Sequence, residues 1–155
     1  MLVVGKLPHG SDLMAELTAV AVQSDVKAGM VQVIGALQRA TVGFYDQWGK
    51  RYRELVFGHP LEIVAGMGNV SLRDGAPFVH LHLSLADEKG SVIGGHAMTG
   101  CTVFAAEYLI LPLPGIELRR AYDDTTGLHL WEQDRATPPG FAELPPEQQQ
   151  TLLNP

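Results

Sequence analysis

The sequence predicts an α+β fold in which one main helix packs on a largely antiparallel β-sheet. Near the N-terminus, apolar residues recur at helical spacing over residues 13–21. From residue 29 onward, stretches that alternate apolar and polar residues dominate, as is typical of half-buried strands. Turn-forming segments rich in glycine and aspartate separate several of these stretches, as in antiparallel hairpins. The length of 155 residues suits one domain.

The N-terminal part predicts a short strand followed by the helix. Residues 2–4 are apolar and form the strand. Ser11 or Asp12 is expected to cap the helix, because either side chain accepts hydrogen bonds from the free N–H groups of a helix start. The helix is expected to end near residue 24 or 25. Its buried face is predicted to contain Leu13, Leu17, Val20 and Ala21.

The middle of the chain predicts strands joined by hairpins. Alternation begins at Gly29 and places Val31 and Val33 on one side of a strand. Residues 46–50 form a hairpin connection between strands predicted over residues 40–45 and 51–57.

Further strands complete the predicted sheet. A long strand over residues 61–72 contains Gly66 and Gly68, which indicate a bulge or a sharp bend. Residues 73–77 form a turn into the next strand, over residues 78–85. The remaining strands are predicted over residues 92–98, 101–111, 116–122 and 128–133.

The chain is divided by composition into a domain, residues 1–133, and a tail, residues 134–155. The tail is rich in proline, glutamine and glutamate, and we expect one helical turn to begin at Pro145 and Pro146.

Charge and cysteine content limit the function classes. Eleven Lys and Arg residues against seventeen Asp and Glu residues give a formal net charge of −6, which disfavours tight binding to nucleic acid phosphates. The single cysteine, Cys101, excludes an intrachain disulfide and favours a cytoplasmic setting. The apolar stretch over residues 101–113 is interrupted by Glu107 and Pro112, so we expect no membrane span.

Three histidines form the main candidate site. Because strand side chains alternate between faces, His80 and His82 point to one face of their strand. A three-residue loop with Gly90 in the left-handed position would place Asp87 opposite Ser91. Stepping back along both strands then pairs His82 with His96, and all three imidazoles share one face.

Such a cluster predicts a metal site. Imidazole suits divalent transition metals, zinc before copper, nickel and ferrous iron, and three protein ligands leave one coordination position open. The alternative is a solvated polar face whose histidines only form hydrogen bonds. The spacing of His80 and His82 alone is equally compatible with the two interpretations. The third histidine, His96, in matching register favours a metal. Four further residues are candidates for a ligand pocket beside the histidines: Asn69, Glu62, Gly94 and Gly95.

A basic segment, residues 50–53, is the best candidate for nucleic acid contact, because Tyr45 and Trp48 lie near its cations. However, strand alternation places Arg51 and Arg53 opposite Lys50 and thereby splits the patch. A solvated hairpin is the favoured interpretation.

The motifs together resemble the plants-and-prokaryotes-conserved (PPC) domain family. The resemblance covers about residues 2–133. The matching segments are Ile34-Gly35-Ala36-Leu37, Gly68-Asn69-Val70-Ser71, the stretch from Asp74 to His82, and Gly94-Gly95-His96.

The resemblance implies a homotrimer with an antiparallel sheet and with the three histidines as metal ligands. Stand-alone bacterial members are often labelled as candidate DNA-binding proteins, but the Arg-Gly-Arg-Pro core of an AT-hook is absent from this sequence. Two hypotheses follow: a trimeric metal-binding domain with an unassigned reaction or small-molecule ligand, and a DNA-binding or regulatory module.

Overall fold

The sheet and helix boundaries follow the predicted order in the part of the chain that the computed structural model describes, residues 2–132, 145–147 and 150. The elements are β1 (Val3–Leu7), α1 (Leu13–Gln23), β2 (Gly29–Asp46), β3 (Arg51–Phe57), β4 (Leu61–Arg73), β5 (Ala76–Ala86), β6 (Val92–Ala97), β7 (Thr102–Pro112), β8 (Arg120–Asp123) and β9 (Leu128–Trp131).

The helix begins where the sequence predicts. The Asp12 side chain accepts a hydrogen bond from the Ala15 backbone N–H at 3.0 Å and caps α1. Its second oxygen accepts from the Gly100 N–H at 2.7 Å, which ties the helix start to the entrance of β7. Leu13, Leu17 and Ala21 are fully buried against the sheet. The cap and the apolar stripe therefore fix where α1 lies.

One antiparallel sheet contains the strands β1 to β7. Six of them follow the order β1-β7-β2-β4-β5-β6, and β3 pairs with β2 outside this order. The first half of β2 pairs with β7 and β4, whereas its second half pairs with β3 and β6. β8 and β9 form a separate hairpin, and its Arg119 is bridged to Leu72 of β4. The α+β prediction is thus confirmed.

The bulge predicted from Gly66 and Gly68 is present in β4 and lies just before Gly66. The register between β4 and β5 shifts between Ile63 and Ala65. A Cβ atom on Gly68 would lie 1.9 Å from the His80 carbonyl oxygen, and one on Gly66 would lie 2.4 Å from Val33 Cγ1. These two glycines allow neighbouring strands to approach each other closely.

The two faces of the sheet differ in what covers them. One face packs on α1 and forms the core, whose largest fully buried side chains include Leu37, Leu81, Leu85 and Ile110. The opposite face of β1, β7, β2 and β4, called the outer face below, bears exposed apolar side chains on register-paired positions. They are Val4, Met30, Ile34, Met67, Leu109 and Leu111, exposed by 36–61%.

The late strands are shorter than predicted, and the tail is mostly outside the described residues. The pair predicted over residues 116–122 and 128–133 is reduced to β8 and β9, which surround a turn closed on Asp123. Of the predicted tail, residues 134–155, only 145–147 and 150 are described, and residues 146, 147 and 150 are helical. No helix in the described part is long and apolar enough to cross a membrane.

Candidate metal centre

The hairpin between β5 and β6 sets the register of the histidines. The Gly90 N–H donates to the Asp87 carbonyl oxygen at 3.0 Å, and the Asp87 N–H donates to the Ser91 carbonyl oxygen at 3.1 Å. Gly90 has a φ of 76°, the left-handed conformation that the loop type requires. As predicted, His82 is directly paired with His96 across the two strands.

The three imidazoles converge on the outer face. His80 Nε2 and His82 Nε2 are 3.2 Å apart. The ring centroid of His96 lies 4.9 Å from that of His80 and 5.4 Å from that of His82. One ring nitrogen from each residue lies within 4.8 Å of the other two. The prediction that the three rings share one face is confirmed.

The surroundings of His96 leave one of its nitrogens unsatisfied. The ring is half-buried, and the Tyr52 ring stacks on it with centroids 4.8 Å apart. His96 Nδ1 is buried and has no hydrogen-bond partner among the described residues. A buried polar atom without a partner is costly, so a ligand bound at this nitrogen would stabilise the site.

Burial keeps two of the imidazoles neutral. It lowers the pKa of His80 from 6.5 to about 4, and the charges of His96, Arg120 and His82 act in the same direction. Burial likewise lowers the pKa of His96 to about 4, with His82 and Arg120 contributing. Neutral imidazole retains the lone pair that a metal needs, so both rings are ready to bind one near neutral pH.

Arg120 is the site residue that sequence reasoning missed. From β8 it donates to Ser71 Oγ at 2.7 Å, to Asn69 Oδ1 at 2.9 Å and to the His129 carbonyl oxygen at 2.9 Å, and its Nη2 lies 3.3 Å from His80 Nδ1. These contacts place a guanidinium beside the imidazoles. No spacing rule signals this, because the contact arises from the packing of β8 near β4.

The family assignment follows from comparison with known proteins. The family model described as the Plants and Prokaryotes Conserved (PCC) domain matches residues 1–114. The chain belongs to this family, named PPC above.

Two solved PPC-like structures resemble the chain over most of its length. A metal-containing protein from Archaeoglobus fulgidus is 38% identical, with a TM-score of 0.81 over 86% of this chain and 94% of that chain. A plant- and prokaryote-conserved (PPC) protein from Pyrococcus horikoshii is 31% identical, with a TM-score of 0.82 over 87% of this chain and 93% of that chain.

A curated relative is much longer than this PPC chain. Bifunctional protein GlmU from a Synechococcus strain is 37% identical over 148 residues, which are 94% of this chain and 22% of that protein. The chain thus spans about a fifth of the length of the curated relatives it matches.

The other predicted pocket residues of the PPC domain are spread out. Asn69 is paired with His80 and reaches the cluster through Arg120. Glu62 is paired with Ala86, four residues beyond His82 on β5, which corresponds to about 13 Å of strand. The structure does not bring Glu62 to the histidines, and this carboxylate lines a different cavity together with Leu37 and Phe104.

The two glycines before His96 accommodate backbone and not a ligand. A Cβ atom on Gly94 would lie 2.1 Å from the Leu83 carbonyl oxygen, and one on Gly95 would lie 2.8 Å from the Gly43 carbonyl oxygen. Instead of the ligand-pocket role expected for them, the structure supports close packing of β6 between its neighbours.

The basic segment of the PPC domain is divided, although not as the strand alternation predicts, because Lys50 and Arg51 line the same cavity. Arg53 Nη2 donates to the Asp46 carboxylate at 2.9 Å, so this cation is paired. Lys50 Nζ donates to the Asp124 carbonyl oxygen at 2.6 Å and holds the β8–β9 turn. Lys50 and Arg51 face a cavity beside the histidines. The segment therefore does not present a continuous basic surface.

Proposed function

We propose that this PPC domain is a cytoplasmic, homotrimeric metal-binding protein in which His80, His82 and His96 hold one divalent transition metal ion, zinc being the first expected. The reaction or ligand is unassigned. The observation that carries the proposal is the convergence of one nitrogen from each ring within 4.8 Å. The similarity to a metal-containing archaeal protein supports it.

The spacing of the rings suits a metal better than a polar face. Two nitrogens at 2.0–2.1 Å from a tetrahedral zinc ion are about 3.3 Å apart. His80 Nε2 and His82 Nε2 are 3.2 Å apart. A hydrogen bond between the two rings accounts for that distance equally well, but it leaves His96 Nδ1 buried without a partner among the described residues. A shared ion would also account for the convergence of one nitrogen from the third ring, which the polar-face interpretation does not explain.

The donor set also fits the proposed chemistry. When bound by three protein nitrogens, zinc keeps a fourth position for water or a substrate oxygen and polarises it as a Lewis acid. The chain itself would supply neutral imidazoles, a stacked tyrosine that orients His96, and a guanidinium close to His80.

The outer face supports the trimeric part of the proposal. Its apolar side chains lie on four neighbouring strands and are exposed by 36–61% in the single chain. Contiguous apolar patches of this kind mark surfaces that proteins bury against each other. Assembly of identical chains around a threefold axis would cover this patch on every subunit.

Metal analysis of protein produced without a histidine tag tests the proposal. We expect about one ion per chain and its loss in His82→Ala, because two nitrogens hold a divalent ion far more weakly than three. His59→Ala is the matched control, since this exposed ring contacts Phe57 and the adjacent Pro60 carbonyl oxygen and is not one of the three clustered histidines. Metal-free native protein that also fails to take up added zinc would overturn the proposal.

A further inference from the structure

A cavity of about 280 Å³ lies beside the histidines and is lined by cations. His80 and His96 form part of its wall. Among the described residues that line it, none is acidic, although the whole chain has seventeen Asp and Glu residues against eleven Lys and Arg. Its four cationic side chains are Lys50, Arg51, Arg73 and Arg120. Such an excess of positive charge contrasts with the formal net charge of −6.

Arg120 is held in place without being neutralised. It donates hydrogen bonds to a hydroxyl, an amide oxygen and a backbone carbonyl, and a neutral imidazole nitrogen lies 3.3 Å away. A half-buried cation that has only neutral acceptors around it attracts an anion strongly, because an opposite charge offsets the cost of its desolvation.

A second guanidinium, that of Arg73, lines the same cavity. Arg73 and Arg120 both lie over the Phe78 ring, with their Cζ atoms 5.5 and 5.4 Å from its centroid. The carboxylate nearest to Arg73 belongs to Asp74, at 3.9 Å and largely exposed. Two like charges on one ring repel each other, and an oxyanion between them would relieve this repulsion.

We infer that this cavity binds a small organic molecule through a carboxylate or phosphate group, with Arg120 and Arg73 holding the oxyanion and Phe78 and Tyr52 contacting the organic part. The inference rests on the proposed function only in placing the anion next to a bound metal ion. Binding of the anion itself requires only the cations. The volume of about 280 Å³ suits a small molecule and not a duplex.

Calorimetric titration with two matched anions tests this inference. Benzoate and phenyl phosphate share a phenyl ring and differ in the oxyanion, and benzamide is the uncharged control. Wild-type protein is expected to bind at least one of the two anions at about one molecule per chain and to bind benzamide at least about tenfold more weakly. Whichever anion binds more tightly identifies the oxyanion that the cavity prefers.

Variants locate the binding. Arg120→Gln is expected to weaken binding of the anion by about tenfold or more, and Arg73→Gln by a smaller factor, because each removes a charge-assisted contact. Arg39→Gln is the control, since Arg39 is an exposed β2 cation that does not line the cavity. Circular dichroism checks that Arg120→Gln folds, and Arg73→Gln gives an independent reading if it does not.

The titrations are carried out on metal-free and on zinc-loaded protein, with zinc content measured on the same samples. Anion binding without zinc uptake supports the inference while the proposed function fails. Zinc uptake with neither anion bound overturns the inference alone. Equal binding by wild type and both arginine variants, or binding of a short random DNA duplex while both anions fail, also overturns it.

Discussion

Tyr52 stacks on His96, with ring centroids 4.8 Å apart and planes inclined by 28°. The two residues belong to β3 and β6, which both pair with the second half of β2. The contact fixes the plane of an imidazole that has no hydrogen bond at Nδ1 among the described residues. Tyr52 thus orients His96 by stacking.

Removal of this stacking should weaken the metal centre. Tyr52→Ala is expected to lower zinc affinity by about tenfold, the effect typical of a lost orienting contact. Tyr52→Phe retains the ring and should bind zinc like wild type. Competition with a fluorescent zinc chelator measures both affinities. Equal affinity in Tyr52→Ala and wild type would show that the ring does not position His96.

The stability of metal-free protein should depend on the two half-buried histidines. The pKa values of His80 and His96 are about 4 in the folded chain, below the ordinary value of about 6.5. The unfolded chain therefore binds more protons between these values, and stability falls as the pH decreases from about 6.5 to about 4. Because solvent screens these partly exposed rings, we expect the free energy of unfolding to fall by only about 2 kcal/mol in total over this pH range.

Urea unfolding at pH 7 and pH 4.5 measures this loss. Carboxylates elsewhere in the chain titrate in the same pH range. The stability loss of wild type is therefore compared with that of the double variant His80→Gln/His96→Gln. The variant should lose less stability between the two pH values than wild type. An identical loss in both proteins would contradict the prediction.

Close packing at Gly68 should be essential to the position of His80. Gly68→Ala would place a Cβ atom 1.9 Å from the His80 carbonyl oxygen, so the two strands must separate. We expect destabilisation of about 1–3 kcal/mol or more, together with weaker zinc binding. Gly58→Ala is the control because a Cβ atom there meets nothing within 4 Å. Thermal unfolding and zinc titration of both variants provide the measurement.

Assembly should depend on the outer face. Ile34→Glu adds a second carboxylate to the patch, opposite its exposed register partner Glu107, and should convert a trimer into monomers, because burying unpaired carboxylates costs several kcal/mol. Val56→Glu is a matched control on β3, where a valine is exposed to a similar extent outside this patch. Light scattering coupled to gel filtration reports the mass. A monomeric wild type, or a trimeric Ile34→Glu, would refute the assignment of this surface.

Short-range rules were sufficient to predict α1 and the pairing of His82 with His96. A capping aspartate, an apolar stripe and a loop with glycine at its left-handed position act over a few residues, so the sequence displays them directly. The glycines of β4 were harder to interpret, because a bulge and a close strand approach call for the same residue type.

Long-range packing could not be predicted in this way. Arg120 and Asn69 are separated by 51 positions, and their contact exists only because the β8–β9 hairpin packs near β4. The same packing gathers cations from β2–β3, β4 and β8 around one cavity. Neither the composition nor the alternation of apolar and polar residues shows which of the exposed cations lie close together in the folded chain.

Met67, on the outer face, is the register partner of His82, the one exposed imidazole of the cluster. Any neighbour that shields Met67 from solvent therefore also encloses His82. Under the proposed function, subunit association and ion retention become thermodynamically linked: dilution that separates the subunits loosens the ion, and withdrawal of the ion shifts the equilibrium toward separate chains.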